Sequence, residues 1–464
     1  MVLTVLMSCR GGPSTPYAPV YNLPVPSTVS NTVPVTVGAN GIPNGVFTSV
    51  TVCTPAVYPV GQDPNIGGPP PAPVCQTINN ILVDTASVGL RLVDNGEFSQ
   101  VPYVADRSNH PVLECVQFAD FSYVWGPVVL GTVQMAGETA AQVPMESVAP
   151  NTGIPIQVIA TPYDQANGFE GGLVSVPAAP TSCLSSPLTG GLPNDVNSLQ
   201  NLGINGILGV GTFLQDCGAD CASSTPPNQY FVCPAGDCSA VSVPQNLQVW
   251  NPVAAFAYDN DGLMLNLPAV FPLNGSQALT GSLTFGIDTQ SDNTLGGGMF
   301  ALDAYGNFPQ VTFTYQQPTL SYPTVLVSYM SPQNGSYIDT GSPAIYFSDA
   351  QTLGIPECLS ASSEPLSFYC PPEALSGFSA TVFGTNQSKY TFTWNLLNAQ
   401  ALLKNGNSVF NTLGGDSGVD ASTDFVDLGL PFFLGRSTFV GFAGTTIEYP
   451  QGQVNTYSNG YWAF

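Results

Sequence analysis

Two short stretches place an aspartate where hydrolytic chemistry could be built. In "LVDTASVGLRL" (82–92) apolar residues deliver Asp84 into Thr85-Ala86-Ser87, and an apolar run resumes. "YIDTGSPAIYF" (337–347) repeats the plan around Asp339-Thr340-Gly341-Ser342. A strand that lifts a carboxylate into a tight turn of hydroxyl and small residues holds it rigidly by local hydrogen bonds. Two such turns facing each other across a pseudo-twofold axis bring Asp84 and Asp339 together. Carboxylates in contact cannot both ionise cheaply, so the two share a proton. One then acts as general base on a trapped water, the other as general acid toward a carbonyl oxygen.

The elements that must position them also come in pairs. "NGILGVGTF" (205–213) has an echo in "PFFLGRSTF" (431–439), each with an apolar-Leu-Gly triplet ending at Gly209 or Gly435. The intervals are 209 − 84 = 125 and 435 − 339 = 96 residues. An internal repeat of this kind predicts two halves of similar plan, 30–245 and 246–464. Strand-like alternation begins at "NTVPVTVG" and "GVFTSVTVCTPAV", and "NGYWAF" reads as a closing strand. Helical signals are few: "DVNSLQNLG", "SDAQTLG" and "LLNAQALLKNG".

Composition agrees with many short strands joined by turns. The 464 residues include 48 Gly and 43 Pro, and only 8 % are charged. Thirty acids against six bases give −24 at pH 7, which argues against nucleic acid or anionic lipid as partners. Full protonation leaves few positive charges, so self-repulsion in acid is limited. The single histidine, His110, sits in "RSNHPVL", which matches no Ser-His-Asp context, and one histidine excludes a histidine-rich zinc site. No cofactor or metal is expected.

The four motifs in this order resemble the pepsin-like aspartic proteases. A closer resemblance, carried by "QDCGADC", "VWNPVAAFAYDNDGLMLNLPAV", "GSLTFGIDTQSDN" and "LPFFLGRSTF", is to a bacterial family of unknown function made of exported proteins with that fold. It covers nearly the whole chain after the linker. The resemblance implies an all-β, bilobal fold with few short helices and pseudo-twofold related lobes. It implies Asp84 and Asp339 as the catalytic pair, with Thr85 and Thr340 cross-linking the two loops. Ser87 and Ser342 would bond the outer carboxylate oxygens. The Leu208-Gly209 and Leu434-Gly435 segments would thread behind the aspartates. Gly341 keeps the family's glycine; the first half has Ala86 instead, whose methyl either fits or displaces Asp84.

Such enzymes carry a β-hairpin flap with an aromatic over the cleft. "FSYVWGPVVLGTVQMAG" (121–137) fits one, with Trp125-Gly126-Pro127 at its tip and Tyr123 as the alternative aromatic. The expected function is an exported aspartic endopeptidase, a monomer that cleaves extended peptides with water activated between the two aspartates. A catalytically silent surface binding or adhesion protein on the same scaffold is the competing reading.

Eleven cysteines favour an oxidising compartment. "MVLTVLMSC" ends as a truncated lipoprotein signal would, with Cys9 as lipid anchor and residues 10–29 as linker. Membrane attachment is expected only through that lipid, on a periplasmic, cell-surface or extracellular protein. Of the other ten cysteines, Cys53 with Cys75 and Cys358 with Cys370 close loops, and Cys115 and Cys183 remain to pair. Cys217, Cys221, Cys233 and Cys238 form either two disulfides or a four-thiolate zinc site.

Overall fold

The computed structural model describes residues 30–39, 41–55, 72–94, 101–118, 122–144, 152–160, 176–184, 194–195, 203–316, 324–331, 335–360, 365–418, 425–448 and 454–464. Cys9, the linker before residue 30 and most of "DVNSLQNLG" lie outside them. The chain is mostly β-strand with a few short helices. "TVPVTV" buries Val33, Val35 and Val37 on one face, as period-2 alternation requires. The two short helices expected in the second half are present. Ala350–Leu353 is capped by the Asp349 carboxylate and stopped by left-handed Gly354; Ala399–Leu403 is capped by Asn398.

The largest sheet runs through both halves of the sequence. Thr32–Val37 pairs antiparallel with Leu279–Phe285 over its whole length. Leu279–Phe285 pairs with Gly262–Leu267, which pairs with Arg436–Gly441, which pairs with Tyr461–Ala463. On its other side Val46–Cys53 carries the sheet to Cys75–Asp84, the strand that ends in the first aspartate. A separate six-stranded sheet holds Tyr337–Ile338, the strand before the second aspartate. One continuous core joins residues from both halves, among them Ile81, Leu90, Trp250, Leu263, Phe285, Ile338 and Phe347.

Five disulfides lock the loops: Cys53–Cys75, Cys115–Cys183, Cys217–Cys221, Cys233–Cys238 and Cys358–Cys370. The four clustered cysteines are therefore two disulfides and not a zinc site. This number of bridges is compatible with an exported protein. No helix among the described residues is long and apolar enough to cross a membrane.

Arg91, seven residues after Asp84, is fully buried between two buried acids, 3.1 Å from Glu114 and 3.0 Å from Asp216. The Tyr230 hydroxyl donates to Asp216 Oδ1 at 2.6 Å, and Gln229 donates to both acids. Burial, then the charge of Glu114, hold Asp216 well above the ordinary carboxylate range, with Arg91 opposing. Arg436, the basic residue after the last motif, makes no ion pair among the described residues. Its guanidinium instead lies 4.7 Å from the Phe432 ring centroid.

Candidate active site

Each aspartate leaves the end of a strand and is caught at once by backbone amides of its own turn. Asp84 Oδ1 accepts from the amides of Ala86 at 2.9 Å and Ser87 at 3.2 Å. Asp339 Oδ1 accepts from the Gly341 amide at 2.7 Å. Ala86 thus donates as Gly341 does, and its methyl leaves that bond intact.

The turns face each other. The Thr85 amide donates to Thr340 Oγ1 and the Thr340 amide to Thr85 Oγ1, both at 3.1 Å. Each hydroxyl then donates to the strand opposite, Thr340 to the Val83 carbonyl at 2.8 Å and Thr85 to the Ile338 carbonyl at 3.4 Å. The clasp brings the carboxyls into contact over Gly341. A methyl there would lie 3.0 Å from Asp339 Oδ1, Asp84 Cγ and Asp84 Oδ1. A hydrogen at this position is what lets the two acids close on one another.

Both aspartates are 0 % exposed. Burial raises Asp84, while the nearby Ser87 and Asp339 side chains and the amides of Ala86 and Ser87 hold the rise down. Asp339 is pushed well above the ordinary range, by burial first, then by the charges of Asp84 and Asp427. The two carboxyls therefore titrate as one unit and hold a single proton between them.

The serines behave differently in the two turns. Ser342 Oγ donates to Asp339 Oδ2 at 2.8 Å. The Ser87 hydroxyl lies near Asp84 but makes no hydrogen bond of good geometry, and Asp84 Oδ2 accepts none.

Behind Asp84 runs Gly206–Val210, parallel to Ile81–Asp84 and antiparallel to Val88–Leu92. A side chain on Gly209 would lie 2.7 Å from the Val88 amide nitrogen, so only glycine allows this approach. Its counterpart behind Asp339 is not Gly435. Asp427–Leu428 pairs parallel with Tyr337–Ile338 and antiparallel with Ile345–Tyr346. Gly429 follows, where a methyl would lie 1.9 Å from the Ala344 carbonyl oxygen. The amide bonds agree: Gly211 donates to the Ser87 carbonyl and Leu430 to the Ser342 carbonyl. Gly435 lies at positive φ after the short helix Leu430–Phe433, against Ala269. A signal for the right glycine was present: Leu-Gly-apolar occurs at 208–210 and 428–430, whereas 434–436 is Leu-Gly-Arg.

The expected flap tip is also corrected. Ser122–Met135 is one unbroken strand, with Trp125-Gly126-Pro127 inside it. It pairs with Val112–Gln117, Cys115 opposite Trp125, and the Phe118 amide donates to the Ser122 carbonyl at 2.8 Å, so Trp125-Gly126-Pro127 is no hairpin tip. Trp125 is 0 % exposed, edge-on to Phe231 at 5.6 Å, and its indole donates to the Pro177 carbonyl. Tyr123 is buried in the same cluster. Gly126 is small because a methyl would meet the Val158 carbonyl oxygen at 1.9 Å. The Gly-Pro pair that reads as a turn marks a close strand crossing, so these three residues serve the core.

Among the described residues no group of His, Cys, Asp and Glu is arranged to hold a metal ion. The model of the family described as "Protein of unknown function (DUF3443)" matches residues 27–464, and the chain belongs to that family. No curated protein matches the chain.

Proposed function

We propose that this protein is an exported aspartic-type endopeptidase of two-lobed, pepsin-like build. One observation carries the reading: two Asp-Thr-small-Ser turns meet through reciprocal threonine bonds, and their carboxyls close over Gly341. A water held between the carboxyls gives its proton to ionised Asp84 and attacks the scissile carbonyl carbon. Protonated Asp339 gives its proton to the carbonyl oxygen. Collapse of the resulting diol breaks the C–N bond: the amine leaves with the proton that Asp84 gained, and one diol hydroxyl returns its proton to Asp339. An extended peptide is the fitting substrate, bound as an added strand. The five disulfides support export, and a lipid on Cys9 is the proposed attachment.

Complete burial of both carboxyls favours a second reading, a silent binding scaffold, because a peptide must first displace what covers them. The test is digestion of an unfolded protein at acid pH by wild type, Asp84→Asn and Asp339→Asn. The enzyme reading expects both variants to fall to background. Equal cleavage by all three, or none by wild type, rejects it in favour of the scaffold.

A further inference from the structure

The position next to the pair that no motif accounts for is Asp427. It is 0 % exposed, and neither carboxyl oxygen accepts a hydrogen bond. The charge that acts on it is that of another acid, Asp84; it acts in turn on Asp339, and beside it on the paired strand stands Tyr337. Burial first, then the charges of Asp427, Asp339 and Asp84, hold the Tyr337 hydroxyl well above its ordinary range, so it stays neutral. On the other side the in-register neighbour is Tyr346. A carboxylate charge in such a place is costly, so Asp427 keeps its proton. Burial accordingly holds it well above the ordinary range, with nearby Ser342 opposing and Asp84 adding to the rise.

Ser342 has one hydroxyl hydrogen, and that hydrogen is committed to Asp339 Oδ2 at 2.8 Å. Ser342 is near enough to oppose the rise of Asp427, and with its own hydrogen spent, a hydrogen bond between the two needs the hydrogen of Asp427. The first half provides the comparison. Ile207 pairs with Leu82, two residues before Asp84, as Asp427 pairs with Tyr337, two residues before Asp339. Ile207 is apolar, and in that half the serine hydroxyl is without a hydrogen bond. We propose that Asp427 is a third, neutral carboxyl of the site that donates to Ser342 Oγ and so fixes the Ser342 hydrogen on Asp339. It is a positioning residue, and its catalytic consequence rests on the aspartic-endopeptidase reading. Ionisation of Asp427 would turn the Ser342 hydrogen away from Asp339 and set a negative charge beside the pair.

Two measurements on the full chain need no activity. In thermal melts from pH 4 to 8, the stability of wild type relative to Asp427→Asn should fall steadily as pH rises. A difference that does not change with pH means Asp427 is already ionised and overturns the proposal. In a melting-temperature cycle at pH 5, the losses from Asp427→Leu and Ser342→Ala should be non-additive; simple additivity overturns the relay. In the digestion assay, Asp427→Asn keeps a donor and should retain acid activity while its alkaline limb moves to higher pH. Asp427→Leu should lose about tenfold in kcat with KM little changed. A wild-type pH profile in the Leu variant also overturns it. Failure of the endopeptidase reading would show as equal cleavage by wild type and Asp339→Asn, or as none by wild type, and would leave the melting results to decide the placement of the Asp427 proton.

Discussion

Thr85 and Thr340 hold each other reciprocally: each amide donates to the other's hydroxyl at 3.1 Å, across 255 residues of sequence. Both residues are buried, so neither amide has water as a substitute. Thr85→Val keeps the branched shape and strands the Thr340 amide. The expected cost is about 1–3 kcal/mol. Thr340→Val should cost a similar amount. Because the bonds share both residues, a double-mutant cycle by chemical denaturation should give a coupling of about 0.5–3 kcal/mol. Strictly additive losses would show that the two turns are held by something else.

Gly429 and Gly435 offer a direct test of which segment backs Asp339. Gly429→Ala pushes a methyl into the Ala344 carbonyl at 1.9 Å, so the loop carrying Ser342 has to move. We expect a loss of more than about 3 kcal/mol, or no folded protein. Gly435→Ala meets only Ala269, 3.1 Å away, at φ +80°, and should cost about 1–2 kcal/mol. The reverse order of stability would return the backing role to Gly435.

Two acids outside the pair, buried Glu138 and half-buried Asp416, favour acid stability. Burial pushes Glu138 up to about 7, Asp259 adding to the rise and the Tyr258 amide opposing it. Burial pushes Asp416 up to about 6, against hydrogen bonds from Gly418 and Ala350. Both values are raised above those of the unfolded chain, so the folded state binds more protons between the two. Their stabilisation is full below about pH 4 and is lost as pH rises through 6 and 7. Melting temperature should therefore decline from pH 4 to pH 8, and Glu138→Gln should flatten part of that decline. A melting temperature that climbs over this range would contradict the assignment.

Arg91 is the cation on which two buried acids depend. Arg91→Met leaves Glu114 and Asp216 without it, at an expected cost of about 3–5 kcal/mol at pH 7. Asp216, already raised by burial, can escape by taking up a proton, so the penalty should shrink toward pH 4. Urea titrations at the two pH values measure this directly, and an equal penalty at both would mean that the acids never needed the charge.

The aspartate turns were legible because one chain contains two copies of a pattern that is weak alone. Leu208-Gly209 was legible for the same reason. Its partner was missed because Asp427 interrupts the apolar run before Leu428-Gly429, and a cleaner-looking Leu-Gly lies six residues later. That interruption is itself the most unusual residue near the pair. Trp125 was misplaced because Gly126-Pro127 has turn composition, whereas Gly126 is required by the backbone of Val158. Local pattern does not record a neighbour that arrives from another strand. For the same reason the repeat suggested halves meeting near residue 245, but not the sheet that runs across that point.

The pairing of Thr32–Val37 with Leu279–Phe285 sets a timetable for synthesis. Thr32 and its partner Thr284 are separated by 284 − 32 = 252 residues. At roughly 5–20 residues per second, that interval keeps the first strand waiting on the order of 10–50 s for its neighbour. Through that time the nascent chain presents an open strand edge, the kind of surface that recruits unwanted β-pairing. A ribosome-bound or translocating chain therefore needs a holding factor, or the charge repulsion of its many acids, until the later strand emerges.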